Sequence, residues 1–118
     1  MAISSTQLEV IDLTPRIGSE IRTDLDTLLS GREADNIRAT LEQRGVIFFR
    51  GLQISDEQQV AIAKTLGNIV QNEGERGIYK ISFDKNVNQR AEYLKGSMFW
   101  HIDGSLQPYP NLASLLRP

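Results

Sequence analysis

The chain has 118 residues, 40% of them hydrophobic and 24% charged, a composition typical of one ordinary soluble globular domain. Its net charge of −2, with no run of Lys or Arg, argues against a nucleic-acid partner. Cysteine is absent, which excludes thiolate catalysis, zinc–thiolate sites, iron–sulfur clusters and disulfides within the chain.

The first elements alternate between strand and helix patterns. A roughly alternating apolar stretch at 8–13, broken by Pro15, predicts a short strand, and a second strand is predicted at 17–21. Between 34 and 41, apolar residues recur at spacings of three and four, which predicts a helix with one apolar face. Gly45 is expected to end that helix as its left-handed cap.

The middle of the chain predicts a buried strand followed by a capped helix. The continuous apolar run at 46–49 indicates a central strand covered on both faces. Ser55 followed by Gln58 has the form of a capping box, and the apolar stripe after it predicts a helix that stops at Gly67.

The last third of the sequence predicts mainly strands. Alternation at 78–83 indicates one strand, a polar loop follows at 84–96, and further strands are predicted at 98–103 and 112–116. The whole series is a mixed α+β pattern. Its last strand leads directly into the end of the sequence, so we expect unpaired strand edges and a truncated piece of a larger domain.

One pair of residues points to chemistry. His101 is the only histidine, and Asp103 follows two positions later, so on a strand both side chains lie on one face while Ile102 packs on the other. An imidazole and a carboxylate there form two legs of a 2-His-1-carboxylate site for iron(II). The alternatives are an ordinary histidine at a strand edge and a turn aspartate before Gly104.

Trp-His-x-Asp at 100–103, with the sequence around it, resembles the taurine dioxygenase/TfdA family of Fe(II)/2-oxoglutarate-dependent dioxygenases. Order and spacing agree over nearly the whole chain. The matching stretches are 13–21, 44–51, 54–59 with 66–68, and 110–116.

The resemblance implies a fold and a set of ligands. It implies a partial double-stranded β-helix, or jelly-roll, with flanking N-terminal helices. Residues 1–118 would be the N-terminal portion of a single dioxygenase domain whose C-terminal half of the barrel is absent. His101 and Asp103 would be metal ligands. The distal histidine and the arginine and threonine that bind 2-oxoglutarate lie beyond position 118 in the family pattern, so no 2-oxoglutarate-binding residue is assigned within this chain.

The implied activity is oxidation, normally hydroxylation, of a small organic substrate with iron(II), 2-oxoglutarate and O2. The 118-residue chain alone is expected to be inactive. Ser97 stands where taurine dioxygenases have an asparagine, which makes it a candidate substrate contact and argues against taurine itself. Phe99 and Trp100 are expected to be core or pocket-wall aromatics.

A second hypothesis places the chain in another functional class. It is a non-catalytic binding or assembly module that pairs with another chain, including a second copy of itself, through exposed strand edges. The sequence lacks a signal peptide and an apolar run long enough to span a bilayer, so it predicts a cytoplasmic protein with no membrane partner.

Overall fold

A computed structural model describes residues 8–70, 77–104 and 106–118 of the protein. The chain divides into two compact units, Met1–Ile69 and Val70–Pro118, which are considered separately below. Among the described residues, no helix combines the length and the hydropathy needed to cross a lipid bilayer.

The first unit combines a small sheet with three helices. Its described elements are strands β1 (Glu9–Asp12) and β2 (Ser19–Arg22), helices α1 (Leu25–Ser30) and α2 (Ala34–Arg44), strand β3 (Ile47–Phe48) and helix α3 (Asp56–Leu66). The sheet order is β1-β2-β3, in which β1 and β2 are antiparallel and β2 and β3 are parallel. The two helices between β2 and β3 supply the crossover that a parallel pair requires.

The hairpin of β1 and β2 follows from a tight local turn. Thr14 Oγ1 accepts a hydrogen bond from the Ile17 backbone N–H, and Gly18 has φ 87° in the left-handed region. The second strand therefore starts at Ser19, two residues later than the predicted range of 17–21. The first predicted strand, at 8–13, is confirmed as β1.

Both predicted helices of this unit are confirmed, together with their end signals. The Gly45 N–H donates to Leu41 O at φ 75°, which closes α2. At the start of α3 the Ser55 side chain accepts from the Gln58 N–H, and the Gln58 side chain accepts from the Ser55 N–H, so the capping box is complete.

Helix α1 was not predicted, although its sequence carries signals at both ends. Asp24 is its N-cap and accepts from the Thr27 backbone N–H at 2.7 Å, and Gly31 closes the helix at φ 75°. The helix has only six residues, too few to display a repeated apolar period.

The core of the first unit lies where the sheet meets the helices. Its buried members come from β2, all three helices and the residue before β1, and partly buried residues around β3 pack against them. The buried set is Leu8, Ile21, Leu28, Ile37 and Ile62. The apolar stripes of α2 and α3 therefore face the core, as their periodicity predicts.

The prediction of a central strand at 46–49 was wrong. In the described sheet the middle position belongs to β2, whose residues Ser19, Glu20 and Ile21 are buried, whereas β3 pairs along one side only. Its two residues are half-buried, and Val46 is exposed. An apolar run alone does not reveal how many neighbours a strand has, and this one has a single described neighbour.

The second unit has little regular structure. Helix α4 (Ala91–Leu94) and the 3-10 turn Lys95–Met98 lie partly within the segment predicted to be a polar loop. The strands predicted at 78–83, 98–103 and 112–116 are absent from the described residues. A strand is completed only by hydrogen bonds to a neighbouring strand, and none of these segments has such a neighbour in the described part of the chain.

The architecture is therefore mixed α+β, as predicted from the order of the elements. The sheet of the described residues has three short strands, and the two sheets of a jelly-roll are not present in it.

Candidate metal centre

The segment that carries His101 directly follows helix α4 and the 3-10 turn Lys95–Met98. That turn ends at Phe99, whose N–H donates to Gly96 O and whose backbone is extended, with φ −101° and ψ 153°. The chain then runs to a turn at Gly104, where φ is 67°. His101 and Asp103 thus lie on a short connection between two turns rather than on the predicted strand.

The two predicted ligands are brought together even though the strand is absent. His101 Nε2 lies 3.1 Å from Asp103 Oδ1, and the side chains are 50% and 67% exposed. On the other side of the ring, His101 Nδ1 lies 2.7 Å from the carbonyl oxygen of Phe99. Both ring nitrogens of His101 therefore face oxygen atoms that can accept hydrogen bonds.

This donor set fits a divalent metal of the iron type. Two ligands at ~2.1 Å from one ion in neighbouring octahedral positions lie ~3.0 Å apart, close to the separation of Nε2 and Oδ1. A histidine that ligates through one nitrogen usually donates its other N–H to a carbonyl or carboxylate, and the Phe99 carbonyl oxygen lies 2.7 Å from His101 Nδ1. Within the part of the chain that the structure describes, no group of three His, Cys, Asp or Glu side chains could hold a metal ion, so this pair is at most a partial site.

A shallow depression of about 370 Å³ adjoins the histidine and is lined by Ser97, Met98, Phe99, Trp100 and His101. The Ser97 hydroxyl donates its proton to Leu94 O at 2.6 Å. The hydroxyl oxygen therefore remains an acceptor toward any bound molecule, but its proton is already engaged. Ser97 is placed at the depression, and its hydrogen bond makes it a poor donor to an anionic group.

The sequence comparison with protein families gives one match, which covers most of the chain. Residues 9–117 match the family model described as "Taurine catabolism dioxygenase TauD, TfdA family". The chain belongs to this family. No curated protein is similar enough in sequence to match the chain.

Two solved structures of similar proteins extend the comparison. One, from Burkholderia xenovorans, is assigned as an alpha-ketoglutarate-dependent taurine dioxygenase; it is 35% identical, with a TM-score of 0.50, over 58% of this chain and 28% of that one. The other is AAD-2 in complex with Mn(II) and N-oxalylglycine, 22% identical with a TM-score of 0.64 over 87% of this chain and 34% of that one. The chain thus spans about a third or less of the length of these proteins.

One prediction about the surroundings of the site was wrong, and another holds in only one of its two alternatives. Ile102 was expected to pack on the face opposite the ligands, but it is exposed in the structure. Phe99 and Trp100 do not belong to the core, because both are also exposed. They line the depression instead, as wall residues. No described residues cover these apolar side chains. The strand predicted at 98–103, which would have placed them on opposite faces of a sheet, is absent from the described residues.

One contact of the candidate site was missed by the sequence interpretation, namely the Phe99 carbonyl that holds the His101 ring. It is a main-chain atom, so no residue type marks it. Its position depends on the extended backbone of Phe99, which the sequence does not mark.

Proposed function

We propose that this chain is the N-terminal portion of an iron(II)- and 2-oxoglutarate-dependent dioxygenase that hydroxylates a small organic substrate. His101 and Asp103 supply two of its metal ligands, and the third ligand and the 2-oxoglutarate-binding residues come from outside this chain. The observation that carries the proposal is the pairing of His101 Nε2 with Asp103 Oδ1 at 3.1 Å in a member of the TauD, TfdA family.

The chemistry that iron(II) and 2-oxoglutarate supply when bound is the oxidation of a substrate C–H bond by O2. The chain's own residues have narrower tasks. His101 places Nε2 beside Asp103 Oδ1, so the ring and the carboxylate can each supply one ligand to the same ion. The aromatic side chains of Phe99 and Trp100 provide apolar surface beside the candidate ligands, which could contact a small organic substrate.

The first test is turnover by the whole protein that contains this sequence. With iron(II), 2-oxoglutarate, O2 and a panel of small organic acids, we expect succinate to form. His101→Ala and Asp103→Asn should each lower the rate at least ~100-fold, because a lost ligand costs more than a lost outer partner of a ligand. Asp84→Asn, a change of an exposed aspartate in the same unit, is the control and should leave the rate unchanged.

Succinate formation that is equal in wild-type protein and both ligand variants would contradict the proposed site. A wild-type protein that forms no succinate with any substrate, although it binds iron(II) in a His101-dependent manner, would separate metal binding from the proposed reaction.

A specific observation also favours the second function, a binding or assembly module. The second unit exposes large apolar side chains well beyond those of the depression, and such surfaces often mark contact with another protein. The most exposed are Met98, Phe99, Trp100, Ile102, Leu106, Tyr109, Leu112 and Leu116. Concentration-dependent association measured by light scattering, together with no succinate formed, would place assembly ahead of catalysis.

A further inference from the structure

We propose that Arg22 and Arg50 form a binding site for a small tetrahedral oxyanion, such as a phosphate group, on the first unit. One buried carboxylate, that of Glu20, contacts both guanidiniums, and the two arginine side chains are 61% and 73% exposed. This inference does not depend on the proposed function, because its residues lie in a different unit from His101 and Asp103.

The strand pairing explains why these charged side chains meet on one face of the sheet. In β2, Glu20 and Arg22 are two residues apart and lie on the same face, whereas Ile21 between them belongs to the core on the other face. Glu20 pairs directly with Phe48 of β3, and Arg50 follows Phe48 by two residues. The two arginines therefore reach Glu20 from neighbouring segments of the chain.

The Glu20 carboxylate holds one guanidinium with each of its oxygens. Oε2 accepts from Arg22 Nε at 2.5 Å, and Oε1 lies 2.8 Å from Arg50 Nε. The Glu20 side chain is 7% exposed, and the hydrogen bond from Arg22 keeps the pKa of its carboxyl below the ordinary value, against the opposing effect of burial. The carboxylate is therefore ionised at neutral pH and restrains both guanidiniums.

The cluster retains positive charge and hydrogen-bond donors. Two guanidiniums around one carboxylate leave one positive charge uncompensated, and contacts through Nε leave the terminal nitrogens of both arginines as donors. Within the described residues, the only other carboxylate near these nitrogens is that of Glu9, whose Oε1 lies 4.0 Å from Arg22 Nη1. That distance is too long for a hydrogen bond, and solvent screens this exposed pair.

Arg50 is restrained by an aromatic ring as well as by Glu20. Its guanidinium carbon lies 4.8 Å from the centre of the Phe48 ring, a cation–π contact. A side chain that is already held at two points loses less conformational freedom when it binds an anion than a free surface arginine does.

The number of donors favours a phosphate group over a carboxylate. A carboxylate has two oxygens, which the planar fork of a single guanidinium can engage together. A phosphate group has at least three strong acceptor oxygens and can therefore accept from Arg22 and Arg50 at once. Its larger negative charge also gains more from the uncompensated positive charge of the cluster.

The test is a titration of the whole protein with inorganic phosphate at constant ionic strength, followed through the ¹H–¹⁵N signals of the arginine Nε–H groups. We expect the signals of Arg22 and Arg50 to shift along one saturating curve. Arg22→Ala and Arg50→Ala should each weaken binding about ten-fold, because each removes charge-assisted hydrogen bonds to the anion. Arg38→Ala, a change of an exposed arginine in α2, is the matched control and should leave the dissociation constant unchanged.

Two conservative variants distinguish an ordered site from a patch of positive charge. Arg50→Lys keeps the charge but has no planar fork of donors, so it should lose most of the affinity. Glu9→Gln removes the exposed carboxylate beside Arg22 and should strengthen binding about two-fold, a change of the size expected for a screened pair. If alanine at position 22 or 50 prevents folding, Arg50→Lys decides the question, because lysine can keep an ion pair with Glu20.

The proposal is overturned if phosphate shifts the Arg38 signal as much as those of Arg22 and Arg50, or if Arg50→Lys binds phosphate as tightly as wild type. In either case the cluster is a structural ion pair within a diffusely charged surface. Acetate that binds as tightly as phosphate would overturn the assignment to a tetrahedral anion, and weaker binding in Glu9→Gln would contradict the electrostatic reasoning.

Discussion

Replacing Arg44 with alanine tests whether one buried guanidinium holds the turn between β1 and β2 against helix α2. The Arg44 side chain is 8% exposed, at the last position of α2. Its nitrogens donate to three main-chain carbonyls of the turn and to a buried hydroxyl, and Nε lies 3.4 Å from a carboxylate. These partners are Thr14 O, Pro15 O, Gly18 O, Ser19 Oγ and Asp12 Oδ1.

The expected loss of stability is about 3 kcal/mol. A hydrogen bond from a charged group contributes ~1.5–3 kcal/mol net, and several are lost together. The exposed carbonyls of Thr14 and Pro15 regain water in the variant, and the Asp12 side chain is 59% exposed, so the ~5 kcal/mol extreme for a broken buried pair does not apply. For a unit of this size, ~3 kcal/mol corresponds to a fall in melting temperature of at least ~10 °C.

Thermal melts of the wild type and three variants, followed by circular dichroism, provide the measurement. Arg38→Ala, an exposed arginine in the same helix, is the control and should cost less than ~0.5 kcal/mol. Arg44→Lys keeps the charge but loses the planar fork of donors, so it should fall between the two. If Arg44→Ala melts within about 2 °C of Arg38→Ala, the guanidinium does not stabilise the turn and the reasoning fails.

Two further changes test local features of the first unit. Ser55→Ala removes the capping box of α3 and should cost ~1 kcal/mol, whereas Ser55→Gly should cost only a few tenths; equal melting temperatures for wild type and Ser55→Ala would contradict the cap. The Glu20 side chain is 7% exposed, and the hydrogen bond from Arg22, supported by Arg50, holds the pKa of Glu20 below its ordinary value. Its ionised form therefore adds stability above the unfolded-state pKa that is lost as the pH falls through the folded-state pKa. Melting temperatures of wild type and Glu20→Gln should converge on acidification, and parallel curves would refute this.

Features of the fold that depend on neighbouring residues were predictable from the sequence. The Ser55–Gln58 capping box and the Gly45 cap are complete within three or four residues, so their patterns identify α3 and the end of α2 without knowledge of the rest. The order of the strands in the sheet was harder to predict from the sequence. The run at 46–49 is apolar enough for a central strand, yet the centre is β2, because pairing depends on residues far away in the sequence.

The same difference between local contacts and long-range strand pairing applies to the candidate site. A strand at 98–103 was the stated reason for placing His101 and Asp103 on one face, and that strand is absent from the described residues, yet the two side chains lie 3.1 Å apart. The two side chains thus meet without the ladder hydrogen bonds of a strand. The Phe99 carbonyl that orients the ring was not predictable from residue type, because it depends on one main-chain torsion.

The second unit shows which contacts of the candidate site form between residues close in sequence and which do not. The contact between His101 and Asp103 forms within three residues, and the Phe99 carbonyl contacts the other side of the ring. The apolar residues around it are different. Pairing with a neighbouring strand would place Trp100 and Ile102 on defined faces of a sheet. The described residues contain no such strand, and both side chains are exposed. A dry pocket at the candidate site therefore requires a covering layer over these side chains, which local sequence cannot supply.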